Sequence, residues 1–168
     1  HSSDTFCYLI TNSEKIAKLV NQIISKLLPT IQRTELVKSS LFKNGFIAVC
    51  KNNSDMINLA NSLAPEHLQI MTKNPKLISS KITTAGLVLL GNYSPSSASD
   101  YILGTNHILP TNGFGKTRGS LSVIDFIKIN TEVMASKLSL SKISKHLDTL
   151  TASEGLPNHY EAVRGRLQ

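Results

Sequence analysis

At 168 residues the chain has the size of one domain, or of one domain with an appendage, and 40% apolar residues are enough to build a core. A formal charge of +7 suits an anionic partner, yet the cations are spread thinly, as at Lys15, Lys18, Lys26, Lys38 and Lys43, with no dense basic run, so most of that charge is read as a solvated surface. The longest apolar runs, Phe46 to Cys50 and Gly86 to Leu90, fall far short of the ~20 residues that span a bilayer, and no signal-peptide pattern opens the chain.

A soluble, cytoplasmic protein is therefore expected, with no membrane partner. Nucleic-acid binding rests on the charge alone, and steep salt dependence would be its signature. The two cysteines, Cys7 and Cys50, lie in apolar runs without CxxC spacing and are expected as buried core thiols, not as a disulfide or a thiolate zinc site. The chain opens at His1 without a methionine, as a processed product or part of a longer protein would.

Phe6 to Thr11 is a β-rich run. Ser13 to Leu28 places apolar residues at helical spacing, with Ser13 as N-cap and Pro29 as the stop. A second helix is predicted from Glu35 to Phe42, closed by Asn44-Gly45, and Phe46 to Cys50 reads as a buried strand. Asn53-Ser54-Asp55 starts a third helix over Met56 to Leu63, which Pro65 must end nearby because it disfavours α geometry in the residue before it. Leu68 to Met71 follows as a strand, Pro75 to Ile82 as a helical turn or two, and Leu87 to Leu90 as another strand.

Strands alternating with helices predict an α/β layer with a mostly parallel, Rossmann-like sheet over residues 1 to 130. Asn92 to Arg118 is a long loop rich in Ser, Gly, Asn and Pro, of the kind that is usually either functional or disordered. A last strand is predicted from Leu121 to Ile127. Residues 131 to 168 form a helical C-terminal tail, where Leu138, Leu140, Ile143, Leu147 and Leu150 make an apolar stripe suited to docking on the same chain or on a partner subunit.

Three places carry residue types suited to chemistry. Glu66 and His67, in Ala64-Pro-Glu-His-Leu68, put a carboxylate beside an imidazole at an element boundary, where a proton could be relayed at neutral pH; a surface Glu beside a packed His is the plainer alternative. Asp100 and His107 bring a carboxylate and an imidazole into the polar loop, either as ligand or base groups or as a helix cap and a backbone-bonded ring. Glu154 and His159 repeat the pairing in a turn near the end, either as ligand-binding groups or as a surface charge and an N-terminal helix residue. No phosphate-cradling glycine motif and no nucleophile elbow is present.

Taken together, APEHL, AGLVLLGNYSPSSASDYILGTNHILPTNG, SLSVIDF and EGLPNHYEAVRGR, in this order, resemble the C-terminal part of histidinol dehydrogenase, the zinc- and NAD-dependent enzyme family that ends histidine biosynthesis. The resemblance implies that Glu66 activates water and His67 accepts protons. It further implies zinc ligands at Asp100, His159 and His1, and a histidinol substrate surrounded by His67, Asp100, His107, Glu154 and His159. It also implies a homodimer in which the tail, with Glu154 and His159, reaches into the neighbouring subunit's site. Three departures accompany it. Ser99 stands where the family usually has glycine, the family's zinc-binding glutamine would precede His1, and its dinucleotide-binding region lies upstream of the matching segment. This chain alone is accordingly expected to be inactive. The competing expectation is a non-catalytic binding or assembly module that kept the fold.

Overall fold

In the computed structural model, which describes residues 2–168, the chain forms β1 (Cys7–Thr11), α1 (Glu14–Leu27), α2 (Thr34–Asn44) and β2 (Gly45–Val49) in order. Helix α1 starts where expected, because the Ser13 hydroxyl accepts the Ile16 N–H at 3.3 Å and satisfies a donor that has no partner inside the helix. Glu14 in its first turn and Lys26 in its last complement the helix dipole. A short 3-10 turn, Leu28–Thr30, carries Pro29 and ends the α geometry. Strand β2 then lies parallel to β1, with Cys7 opposite Gly45 and Thr11 opposite Val49, and the rings of Tyr8 and Phe46 stack across the pair at 4.3 Å.

Helix α3 (Asn53–Leu63) begins three residues before the expected Met56. The cap is Asn52, whose Oδ1 accepts the Asp55 N–H at 2.9 Å. The helix ends on Ala64, which adopts a left-handed φ of 45° and is buried. A β-carbon in that region costs about 1–2 kcal/mol. With Pro65 next, this turn swings the chain out of α3 and into β3 (His67–Ile70) within two residues.

After α4 (Pro75–Ser79), β4 (Leu87–Leu90) pairs parallel with β3, His67 opposite Leu87 and Ile70 opposite Leu90. The ladder runs on past the strand end, for Leu87 donates to the Glu66 carbonyl and Gly86 to that of Pro65, both at 2.9 Å. Among the described residues the buried apolar ones are Ile57, Ala60 and Ala64, on α3 and at its end, and Ile70 and Leu89 on the second sheet, while α3 packs against β1.

The fold is thus mixed α/β with parallel pairing, and the pairing takes the form of two separate two-stranded sheets. The expectation of buried cysteines is overturned: Cys7, the first residue of β1, borders an open groove and is exposed, and Cys50, just past the end of β2, is half-buried. The inner side of α1, with Ala17, Val20 and Ile24, borders the same groove, of about 760 Å³, over β1 and β2. Its outer side leaves Ile16, Leu19, Ile23 and Leu27 exposed.

The strand expected at Leu121 to Ile127 is instead a 3-10 turn, Val123–Phe126. Asp125 accepts the Ser122 N–H at 2.7 Å and meets the Arg118 guanidinium at 2.6 Å, and this local bonding defeats the alternating pattern. The Ser122 N–H and the Arg118 charge hold the Asp125 carboxyl below its ordinary range. A lowered folded value contributes stability that is present above the unfolded value and lost as pH falls through the folded one. Asp125→Asn should therefore lower the unfolding temperature at neutral pH, and its gap from the parent should close as the solution is acidified below the usual carboxylate range; a gap that is constant with pH would exclude this role.

The chain divides into two compact units after Asp125. The second, Phe126–Gln168, contains α6 (Lys137–Ser153) and α7 (Pro157–Arg164), which pack on one another. Gly155 at φ 70° turns the chain between them, with Leu156 N–H donating to Thr151 O at 2.8 Å and Gly155 N–H to Ala152 O at 3.1 Å, a left-handed helix stop that glycine permits. Along the apolar stripe of α6, Leu140 and Leu147 are half-buried, whereas Leu138, Ile143 and Leu150 are exposed. Among the described residues no helix is long and apolar enough to cross a membrane.

Candidate active site

The residues at the start of β3 and at the end of α5 (Ser96–Ser99) come together although 33 positions separate them. His67 Nε2 lies 3.2 Å from Asp100 Oδ1, and on the other side of the ring Nδ1 lies 3.9 Å from Glu66 Oε1. His67 and Asp100 are mostly enclosed, with 22% and 19% of their side chains exposed, while Glu66 is open at 42%. The imidazole is therefore held between two carboxylates, hydrogen-bonded to the enclosed one and merely near the open one.

That geometry has a chemical consequence. A neutral imidazole carries one N–H, and a carboxylate at Nε2 selects the tautomer that donates there. The lone pair then sits on Nδ1, on the side of Glu66. The arrangement offers a nitrogen base and a carboxylate base side by side at the N-terminal end of β3.

Local structure explains why the three side chains stay there. The left-handed turn at Ala64 and the bonds from Gly86 and Leu87 to Pro65 and Glu66 fix the backbone of the pair. Residues that the motif reading did not single out brace the surroundings. Asn61 accepts the Thr83 N–H at 2.9 Å and donates to Lys81 O, and Gln69 donates to Gly91 O at 3.0 Å. Gly91, at φ 82°, is the one sequence signal that could have marked the second of these anchors.

The remaining expected residues are placed differently. His107 is exposed and takes no hydrogen bond among the described residues. Glu154 caps the C-terminal end of α6 and His159 lies in α7, both exposed and both in the second unit. The expected ligand His1 lies outside the described residues.

The donor set also tests the fit of a zinc ion. Carboxylate oxygen and imidazole nitrogen are the right types, but zinc takes at least three protein ligands, and no group of three His, Cys, Asp or Glu side chains converges among the described residues. Asp100 is of the right donor type, and the described residues do not complete a zinc site around it.

Comparison with known proteins decides the family. The sequence pattern of the family described as histidinol dehydrogenase matches residues 1–167. The chain belongs to the histidinol dehydrogenase family. The enzyme of that name from Oceanobacillus iheyensis is 38% identical over 166 residues, and that from Methanococcus maripaludis 41% over 167; each match takes in 99% of this chain and 39% of the relative. The crystal structure of histidinol dehydrogenase from Elizabethkingia anophelis superposes with a TM-score of 0.83 at 34% identity, covering 99% of this chain and 38% of that one. This chain thus spans about two-fifths of the length of its histidinol dehydrogenase relatives. The family uses zinc and NAD, and its members act on histidinol in histidine biosynthesis.

Proposed function

We propose that the chain contributes the proton-transfer groups and part of the zinc site to a four-electron oxidation of L-histidinol, through histidinal, to L-histidine. The observation that carries this reading is the imidazole of His67 held at 3.2 Å by Asp100 with the Glu66 carboxylate on its other side.

In the first oxidation the alcohol carbon loses a hydride and its oxygen a proton, which Nδ1 of His67 accepts. In the second, water must add to the aldehyde before a hydride can leave the same carbon. Glu66, the more open carboxylate, takes the proton of that water, and His67, having passed its first proton to solvent, takes the proton of a hydrate hydroxyl as the carboxyl C=O forms and the hydride leaves. Zinc, held by Asp100 with His159 and His1, would polarise the substrate oxygen, and NAD, bound by a part of the family's chain that this segment does not span, would accept each hydride.

The reading includes a homodimer. Asp100 fits as a zinc ligand without enough donors around it, and Glu154 and His159 are exposed on the α6–α7 hairpin, as groups supplied to a second copy would be. The enzyme reading favours a cytoplasmic protein.

The test is NADH formation from histidinol, NAD and zinc by a chimera in which this chain replaces the matching part of the Oceanobacillus iheyensis relative. Activity that disappears in Glu66→Gln supports the reading. In the same chimera Asp100→Ala should reduce bound zinc, measured after dialysis, to a small fraction of the parent's. A folded chimera that retains zinc and forms no NADH would leave the assembly-module reading in its place.

A further inference from the structure

We infer that Thr105 is a positioning residue for Asp100 and, through it, for His67; the inference rests on the proton-transfer reading of that pair. Asp100 needs outside support because it caps a helix of only four residues, α5, too short to hold its own end. The turn has shorter bonds at Ile102 N–H to Ala98 O, 2.9 Å, and Ala98 N–H to Pro95 O, 3.0 Å, but those at Asp100 itself are long, 3.3 Å from Asp100 N–H to Ser96 O and 3.3 Å from Tyr101 N–H to Ala98 O.

Two other contacts fix the peptide that carries Asp100. On the near side Ser99 is buried, at 1% exposure, and its hydroxyl donates to Ser96 O at 2.7 Å. On the far side the chain runs out through the exposed Tyr101 and Ile102, turns back at Gly104 with φ 80°, and returns Thr105, whose hydroxyl donates to Ser99 O at 2.9 Å. That carbonyl belongs to the same peptide plane as the Asp100 nitrogen, so its direction sets where the Asp100 side chain leaves the backbone. Among the described residues it is the one hydrogen bond that reaches that plane from outside the α5 turn.

The return strand is itself fixed, for Asn106 donates to Leu121 O at 2.6 Å and accepts the Ile108 N–H at 3.1 Å. Thr105 is β-branched and so stiff at χ1, which keeps its hydroxyl aimed. A donor anchored in this way holds the Asp100 carboxylate against Nε2 of His67, and thereby keeps the base on Nδ1.

The experiment reads the His67 tautomer directly. In the full 168-residue chain, stripped of metal by a chelator and kept at a pH where imidazoles are neutral, the nitrogen chemical shifts of the His67 ring are assigned with His67→Asn and compared among variants. The parent and Thr105→Ser should show two well-separated ring-nitrogen signals, as a single Nε2–H tautomer gives. Thr105→Val, and Thr105→Ala as a second variant without the donor, should shift the two signals toward each other. A merely structural role would lower the unfolding temperature and leave the signals where they are, and that result overturns the inference. Asp100→Ala separates the two possible failures: parental signals in Thr105→Val alone remove the role of Thr105, whereas parental signals in Asp100→Ala as well remove the His67–Asp100 pairing and the inference with it.

Discussion

Replacing His67 with glutamine should lower NADH formation by roughly 10²–10⁴-fold, the range a single positioned acid–base group contributes. The glutamine amide extends about as far as Nε2, which lies 3.2 Å from the Asp100 carboxylate, so it keeps a donor there and removes the basic nitrogen that faces Glu66. The loss should thus fall on turnover, with the Michaelis constant for histidinol and the zinc content close to the parent's. The chimera with the Oceanobacillus iheyensis relative is the material, and absorbance of NADH the readout. A fall of less than about tenfold in a folded, zinc-loaded variant would remove His67 from the proton path. A large fall accompanied by loss of zinc would instead place the residue in the metal site.

Gly115→Ala should be among the most destabilising substitutions available in the chain. An added β-carbon would stand 2.1 Å from the Thr84 carbonyl oxygen and 3.2 Å from the Gly86 nitrogen, a clash of backbone with backbone. Thr84 cannot retreat easily, because its hydroxyl is bonded at 2.7 Å to Asn61 O at the end of α3. Overpacking of this kind costs about 1–3 kcal/mol, and each kcal/mol lowers the midpoint by about 2–4 °C in a chain of this size. Gly119→Ala is the control, since its β-carbon would meet nothing nearer than 3.9 Å, and its midpoint should stay within about 1 °C of the parent's. Equal midpoints for the two variants would show that the loop around Gly115 is loose enough to move aside. The effect should also reach chemistry, because Gly86 and Leu87 bond to Pro65 and Glu66.

Much of the local structure was legible because its causes are local. Ser13 caps α1, Asn44-Gly45 ends α2, and Leu87 to Leu90 is a strand in both readings. The errors arose where side chains bond backbone at short range. Asn52 moved the start of α3, and Asp125 closed a turn over residues that alternate like a strand. Sheet size could not be read from either run of strands, since the number of partners is a property of the surroundings, and with it went the burial of Cys7.

The site was legible in parts. Glu66 and His67 stood out as neighbours, and Asp100 as a loop carboxylate, but no spacing rule relates positions 67 and 100. The family resemblance implied only that both lie around the substrate, and their contact at 3.2 Å is a product of the fold. Thr105, Asn61 and Gly115 carry no chemistry of their own, so nothing in their residue types announced what they hold in place.

The first sheet has two strand edges that no other strand of the described residues covers. Cys7 to Thr11 and Gly45 to Val49 contain no charge and no proline, and each strand leaves one row of N–H and C=O groups without a strand neighbour. Charges and prolines on outer strands are what keep one molecule from recruiting the next. Lacking both, these segments have the composition of stretches that stack into cross-β arrays, so whatever shields them serves as the chain's safeguard against aggregation as well as a support for its fold.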